Sequence, residues 1–544
     1  MDNLRPSYRI YLPIAFAVVL AAGIYFGSVL SRKTGNDLLL HLNTPGYGNG
    51  KVENIIDYVE QNYVDTVDPA QLETTAIREM LKDLDPNSIY ITAAEFHNTN
   101  DDLLGSFEGI GISFRIERDT ITVINPLPGG PSEKVGLMAG DRIVKINDTL
   151  VAGNGITNND AVRKLKGKKG TKVKVTIFRR GIPKLLEFTI IRDVIPTHSL
   201  DVAYMVNDNT GYVKLRNFSA TTEQEFHEAV GGLSRQGMTR LILDLRGNPG
   251  GFLNAAIGVA DEFLPSGKLI VYTEGLHRPR NYAFATDKGI LKETNLAILI
   301  DEGSASASEI VSGAIQDNDR GLIIGRRSFG KGLVQEQMQL PDGSAFRLTV
   351  ARYYTPTGRC IHSPYKEGDV GMEEYYSEVY HRYTDGEMMN ADSIRFPDSL
   401  KYITPGGKVV YGGGGIMPDI YIPLVTDSAH RFYNILANRG LVFQFAFDYT
   451  DAHRAELKQY KSPEKFERKF KMTDGDYNDL IKYADDKGIE ATEEEIAASK
   501  EKIKTLFKSF VGRNILENKA FYPIYLKIDT TFNRAVYELN REVD

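Results

Sequence analysis

Apolar positions along the chain change their spacing several times, and each change marks a segment of different build. From Ile10 to Ser31 the run is nearly unbroken, with Leu12, Ile14, Phe16, Val18, Val19, Leu20, Ile24, Tyr25, Phe26 and Leu30 and no charge. That length predicts one helix able to span a bilayer. A cleaved signal peptide competes, since Arg5 and Arg9 form a positive leader, but no small-x-small cleavage site follows. Leu20-Ala21-Ala22-Gly23 also lacks the cysteine that a lipoprotein needs. The expectation is an uncleaved anchor over residues 1–33, with Arg32 and Lys33 leaving its orientation undecided.

After a polar, Gly-containing linker the spacing becomes helical. Ile55, Ile56, Tyr58, Val59 and Tyr63 give one stripe and Leu72, Ala76, Ile77, Met80, Leu81 and Leu84 a second, which Asp85-Pro86-Asn87-Ser88 breaks. Residues 34–102 therefore read as linker and helical region. From 103 to 194 short strands and turns take over: Gly109-Ile110-Gly111-Ile112, then 121–124, 140–147 and a closing strand over 173–178. Between 195 and 424 strands and helices mix. A buried strand is predicted at 241–245 and continuous apolar strands at 296–300 and 322–324, with a helix over 221–233 and another carrying Ile310, Val311, Ala314 and Ile315. Glu373 to Asp398, rich in Tyr, Met and charge, reads as an insertion without a legible purpose. Beyond 425 the chain is helical again. Thr492-x-x-Glu495 predicts a capping box, with Ile496, Ile503, Leu506, Phe507, Phe510 and Val511 on one face.

Length and charge narrow the class. At 544 residues the chain is too long for one core, and with 72 acidic against 65 basic side chains it has no basic block suited to nucleic acid. The single cysteine, Cys360, rules out an internal disulfide framework and reads as an inert thiol.

The candidate chemistry lies where strand 296–300 hands over to a helix, through Asp301-Glu302-Gly303-Ser304-Ala305-Ser306-Ala307-Ser308-Glu309. A serine at such a joint sits beside the free N–H groups of a first helical turn, which suit developing negative charge. Ser306-x-x-Glu309 is equally a capping box, in which the hydroxyl only satisfies an amide. Lys331, flanked by Gly330 and Gly332 after strand 322–324, adds a candidate base. A lysine serves as base only when burial pulls its pKa far below the ordinary value of about 10.4. Gly325-x-x-x-x-Gly330-Lys331-Gly332 imitates a phosphate-binding loop but places Gly332 where a magnesium-binding hydroxyl belongs. His227-Glu228 lacks the second histidine of a zinc protease, no G-x-S-x-G surrounds Ser306, and His198, His277 and His362 read as ordinary histidines.

Ser304-Ala305-Ser306-Ala307-Ser308-Glu309 with Phe329-Gly330-Lys331-Gly332-x-Val334-Gln335 resembles the active-site signature of the carboxy-terminal processing peptidases, or tail-specific proteases. The resemblance covers about Val52 to Leu424. It implies Ser306 as nucleophile, by its separation from the lysine, Lys331 as general base, and Gln335 as the residue that orients the lysine. Residues alone do not choose among the three serines. It implies too that Ala307 and either Gly250 or Gly251, in Arg246-Gly247-Asn248-Pro249-Gly250-Gly251, donate N–H groups to an oxyanion hole. The 103–194 segment resembles a PDZ domain, with Gly109, Ile110, Gly111 and Ile112 as the loop that binds a terminal carboxylate.

The implied fold is α+β and multidomain: anchor (1–33), linker and helical region (34–102), PDZ domain (103–194), mixed α/β Ser/Lys peptidase core (195–424) and helical extension (425–544). The implied function is a serine endopeptidase acting on protein substrates with free, apolar C-termini, with no metal, nucleotide or other cofactor. Its place would be the cytoplasmic membrane, single-pass, with the body on the periplasmic side. The extension could bind a regulatory adaptor or mediate self-association. The competing reading is a membrane-tethered PDZ adaptor with a latent or inactive protease body.

Overall fold

The computed structural model describes residues 17–19, 21, 50–93, 95–96, 103, 105–364, 368–424 and 430–541. The chain divides into two compact units, Met1–Glu79 and Met80–Asp544. The first unit carries the helix Lys51–Asn62, which buries no residue, and most of the helix Pro69–Lys82. Nearly all of the expected 10–31 span lies outside the described residues. Among the described residues no helix is long and apolar enough to cross a membrane.

In the second unit the Asp85-Pro86-Asn87-Ser88 turn does not return to helix, as the sequence pattern suggests, but enters the strand Ile89–Ile91. That strand pairs antiparallel with Ala345–Tyr354. Asp85 is the reason for the turn. Its buried carboxylate accepts the Asn87 and Ser88 N–H groups (2.7 and 2.9 Å) and the Ser88 hydroxyl (2.6 Å), reversing the backbone within four residues.

The β-rich segment forms a sheet in the order Ile112–Ile116, Ile121–Pro126, Arg142–Ile146, Lys172–Phe178, Leu186–Ile191. The helix Asn158–Leu165, opened by a Thr157/Asp160 capping box, belongs to the same segment, and Ala161 and Leu165 from it join a core of Ile121, Val123, Ile143, Val173, Val175 and Ile177. Ile112–Ile116 is an edge strand, so one row of its backbone groups has no partner in this sheet.

The body that carries the serine-rich joint is built on a six-stranded sheet in the order Leu200–Met205, Thr210–Leu215, Arg240–Asp244, Asn295–Ile300, Leu322–Gly325, Ile420–Tyr421, parallel after its first pair. Continuous apolar strands are what two covered faces require. Leu241, Leu243, Leu296, Ile298 and Ile300 meet the helices Thr222–Arg235, Leu253–Asp261 and Ala307–Asp317 on one face. Tyr212, Ile242, Ala297, Leu299 and Ile324 form the other, covered by Phe532, Ala535 and Leu539 of the helix Thr530–Arg541. Thus the region beyond 425 is not packed as one appendage. Its middle, including the long helix Glu493–Leu516 opened by the expected Thr492/Glu495 box, has its own core around Phe432, Phe466, Ile503 and Phe507, while its end completes the six-stranded sheet.

The middle of the extension also grips the β-rich domain. The Arg115 guanidinium lies 4.5 and 4.2 Å from the ring centres of Phe443 and Phe447, and Asp451 faces Arg142 (3.5 Å) and Arg180 (3.7 Å).

Candidate active site

All three serines of the strand–helix joint are placed, and only one keeps its hydroxyl proton. Ser304 is buried and donates to the Leu245 carbonyl (2.8 Å). Ser308 is buried and donates to the Asn248 carbonyl (2.9 Å). Ser306 is half-buried and caps the helix in the expected box with Glu309, whose N–H also goes to the Ser306 carbonyl oxygen (2.9 Å), while the Ser306 hydroxyl donates to no described group. Ser304 and Ser308 therefore hold the joint, and the Ser306 hydroxyl proton is the one not given to it.

Ser306 occupies a backbone conformation, φ 54° and ψ −110°, that a residue with a side chain pays about 1–3 kcal/mol to adopt. It is the sharp strand-to-helix turn of a nucleophile elbow, reached without the G-x-S-x-G sequence. Gly250 makes the room. A Cβ there would stand 2.8 Å from the Ser306 Cβ and 2.7 Å from the Ala305 carbonyl oxygen. Tyr353, buried and with its pKa pushed well up by burial, donates its hydroxyl to the Ser306 carbonyl (3.1 Å) and holds the turn from the other side.

The two glycines differ. The Gly250 N–H is already given to the Asn248 side chain (2.9 Å), and its carbonyl accepts from Phe218 (2.9 Å). The N–H groups of Gly251 and Ala307 make no hydrogen bond among the described residues. The loop carrying these glycines is anchored by Arg246, whose guanidinium lies between Asp244 (2.6 Å) and Asp529 (2.8 Å). Burial works against ionising Asp244, but Arg246 and Lys214 outweigh it and hold the carboxyl below the usual carboxylate range.

Glu309 joins the two halves of the site. One Oε accepts the Ser306 N–H (2.8 Å) and the Lys331 N–H (2.9 Å), the other the Gly330 N–H (2.7 Å) and the Ser328 hydroxyl (2.6 Å). Complete burial pushes its pKa up against the pull of those bonds. Sequence reading saw in Glu309 only the end of a capping box. The N–H it accepts from Ser306 is the half that box predicts; the reach to Ser328, Gly330 and Lys331 has no local signal.

Lys331 is largely buried. Burial pulls its pKa below the ordinary lysine value, the Arg347 charge pulls the same way, and Asp85 and Glu309 oppose them. Gln335 sits on the neighbouring strand Leu333–Gln339, with its side-chain amide on the Asn87 carbonyl of the Asp85 turn. Nearby, His362 packs against Gly332, where a Cβ would approach its backbone to 2.9 Å, and burial lowers its pKa to about 4, so it is neutral at pH 7. Of the two ordinary readings open to it, a surface or an interior histidine, it is the interior one. Cys360 is half-buried, with a thiol pKa raised by burial, as suits an inert thiol.

In the β-rich domain Gly111 has φ 69°, and the N–H groups of Ile110 and Gly111 make no hydrogen bond among the described residues. The Ile110 carbonyl is tied to the Ser132 hydroxyl (2.6 Å), so the loop is held while its donors stay unspent. Gly109 ends a strand paired with Asp193–Pro196, and Ile112 opens the edge strand.

Comparison with known proteins accounts for this combination. Residues 209–372 match peptidase family S41 and residues 104–178 match the PDZ domain, while 432–517 match a family of unknown function. A carboxy-terminal-processing protease of Bartonella bacilliformis is 36% identical over 376 residues, covering 67% of this chain and 84% of that protein. The chain belongs to the carboxy-terminal processing proteases. A second member, the carboxy-terminal processing protease CtpA of Bacillus subtilis, is 33% identical over 64% of this chain and 74% of its own length. Among solved structures, a photosystem II D1 C-terminal processing protease covers 70% of this chain and 89% of its own at 27% identity with a TM-score of 0.35. The family assignment rests on the sequence relatives. The stretch matching the family of unknown function is the part that grips the PDZ domain through Phe443, Phe447 and Asp451.

Proposed function

We propose that this chain is a serine endopeptidase that captures the C-terminal tail of protein substrates on its PDZ domain and cleaves them with Ser306 and Lys331. The observation that carries the assignment of the nucleophile is that Ser306 alone of the three serines does not give its hydroxyl proton to a described carbonyl, and that it sits in a strained turn at the start of a helix. Neutral Lys331 accepts the Ser306 proton as the hydroxyl oxygen attacks the peptide carbonyl. The oxyanion that forms is held by the N–H groups of Ala307 and Gly251; the Gly250 N–H, given to Asn248, is the less suited of the pair. The leaving amine takes the proton from Lys331, and water, activated by the same lysine, then releases the acyl group. Gln335 acts on the lysine side by holding the Asp85 turn whose carboxylate bears on Lys331.

Tail capture follows from the unspent Ile110 and Gly111 donors, which suit a terminal carboxylate, and from the edge strand Ile112–Ile116, which can accept the peptide as a further strand. We further propose that residues 10–31 anchor the chain in the cytoplasmic membrane with its body on the extracytoplasmic side, a reading supported by their uninterrupted apolar run. Removing residues 1–33 is then expected to release the protein from membranes, and a full chain already soluble would overturn the anchor.

The central test incubates the purified full chain, beside Ser306→Ala, with an unstructured protein that ends in an apolar tail. Cleavage by the wild type alone supports the proposal. Tail binding without cleavage by either protein would turn the reading to a PDZ adaptor.

A further inference from the structure

The insertion that the sequence left unread folds back onto the segment that delivers Lys331. Its helix Gly368–Thr384 presents Tyr375, Glu378 and Arg382, three and four residues apart and hence on one face. Each of these reaches the same short stretch. Arg382, 5% exposed, donates to the carbonyl oxygens of Arg327 (2.7 Å) and Ser328 (3.0 Å). The Tyr375 ring meets Phe329 edge-on with centres 5.5 Å apart. Glu378 accepts from the Ser363 hydroxyl (3.4 Å), and the Ser363 N–H in turn holds the Gly330 carbonyl (2.9 Å). All four residues leading into Lys331 are therefore gripped by the insertion, directly or through one neighbour.

Charge balance shows that the grip is built for this place. Two buried guanidiniums share Glu387, which accepts from Arg327 at 2.8 and 2.7 Å and from Arg382 at 2.7 Å. Arg327 spends a further N–H on the Gly414 carbonyl (2.6 Å). Backbone carbonyls, unlike side chains, transmit a displacement directly to the next residue, so Arg382 governs the path of the loop and not only its stability.

We propose that the insertion is a brace for the general base, with Arg382 as a positioning residue that sets the depth at which Lys331 is buried. The inference rests on the Ser306/Lys331 reading. Without Arg382 the carbonyls of residues 327 and 328 lose both donors, the loop loosens, and water reaches the lysine. The groups that face Lys331 electrostatically are Arg347, Asp85, Glu309 and His362, the last neutral at pH 7; none of them is a hydrogen-bond partner of Arg382, so its substitution acts on the lysine through the loop and its burial.

The experiment measures kcat, KM and the pH dependence of kcat for the full chain with an unstructured protein ending in a free apolar tail, comparing wild type, Arg382→Gln, Arg382→Lys and Ser306→Ala. Arg382→Gln is expected to lower kcat about 10²-fold, the size of effect that a misplaced catalytic group produces, with KM near wild type. The rising limb of its pH profile should move to higher pH, since a more hydrated lysine gives up its proton less readily. Arg382→Lys, which keeps a charged donor, should recover part of both. Wild-type kcat and an unmoved limb in Arg382→Gln overturn the brace, as does a loss of activity with the limb unmoved. Should Arg382→Gln fail to fold, Tyr375→Leu is compared with Tyr375→Phe, which gives up the hydroxyl's bond to the Asn87 side chain (3.4 Å) but keeps a ring against Phe329; the leucine variant must show the same shift in smaller measure and beyond that of the phenylalanine variant, and wild-type behaviour in Tyr375→Leu overturns the proposal. Full activity in Ser306→Ala would sink the underlying Ser/Lys reading instead, a failure distinct from that of the brace.

Discussion

The two halves of the site are held in different ways. Ser306 is fixed from within the catalytic sheet: Ser304 and Ser308 tie its turn to Leu245 and Asn248, at the end of the adjacent strand, and Gly250 lies against its Cβ. Lys331 is fixed from outside. Glu309, Ser363, the Asp85 turn and the insertion helix all contribute, and they come from separate stretches of chain. A sharp turn is held rigid by the end of a central strand, whereas a lysine is kept dry only by cover from several directions.

That difference can be broken on the serine side first. Gly250→Ala puts a Cβ 2.8 Å from the Ser306 Cβ in a glycine at φ 97°, and a loss of kcat of about 10³-fold, or roughly 4 kcal/mol, is expected with tail binding intact. Steady-state kinetics beside peptide binding to the PDZ domain checks it; a wild-type kcat would show that the turn yields.

Glu309→Gln attacks the link between the halves. It keeps the shape but turns an acceptor of four hydrogen bonds into a group with only one acceptor oxygen. The expected loss of kcat is about 10²-fold, with a cost of about 1–3 kcal/mol in denaturant unfolding. Unfolding that changes with kcat unaltered would mean that the carboxylate serves only the fold.

The lysine side has its own pH signature. His362 has a folded pKa of about 4, below its unfolded value, so the unfolded chain binds more protons between the two. Stability from this group is full above about pH 6.5 and is lost as pH falls toward 4, by up to about 3 kcal/mol. His362→Gln should flatten that part of the pH dependence of unfolding. Activity follows a different group: because the Lys331 pKa is lowered, the rising limb of kcat should lie below the ordinary lysine range, and His362→Gln should leave it in place.

Smallest of all, Ser308→Ala removes one buried hydroxyl from the Asn248 carbonyl. About 1–2 kcal/mol of stability should go, with kcat retained, which would confirm that this serine holds and does not react.

Much of this was readable from spacing alone. The apolar strands at 241–245 and 296–300, the glycine turns and the Thr492 box all follow from local pattern, and two-sided burial explains why those strands do not alternate. The choice among three serines was not readable, because Ser304 and Ser308 differ from Ser306 only in touching backbone some 59 and 60 residues away. Glu309 concealed a long-range role behind a local one. The insertion was opaque for a related reason: Tyr375, Glu378 and Arg382 form a face only once it is known what they face. Gly250 and Gly251 look alike in a motif and separate only when Asn248 is seen to claim one N–H.

The helix Thr530–Arg541 gives the order of synthesis a consequence. It covers Ile242, Ala297, Leu299 and Ile324, yet it emerges from the ribosome long after those strands do. Until then one whole face of the catalytic sheet is bare, and a half-covered sheet is prone to stick to its neighbours. Arg246, which precedes the Gly250-Gly251 turn, also waits for Asp529 at the threshold of that helix. A nascent chain thus carries its Ser306 and Lys331 long before the helix that finishes the sheet beneath them is made.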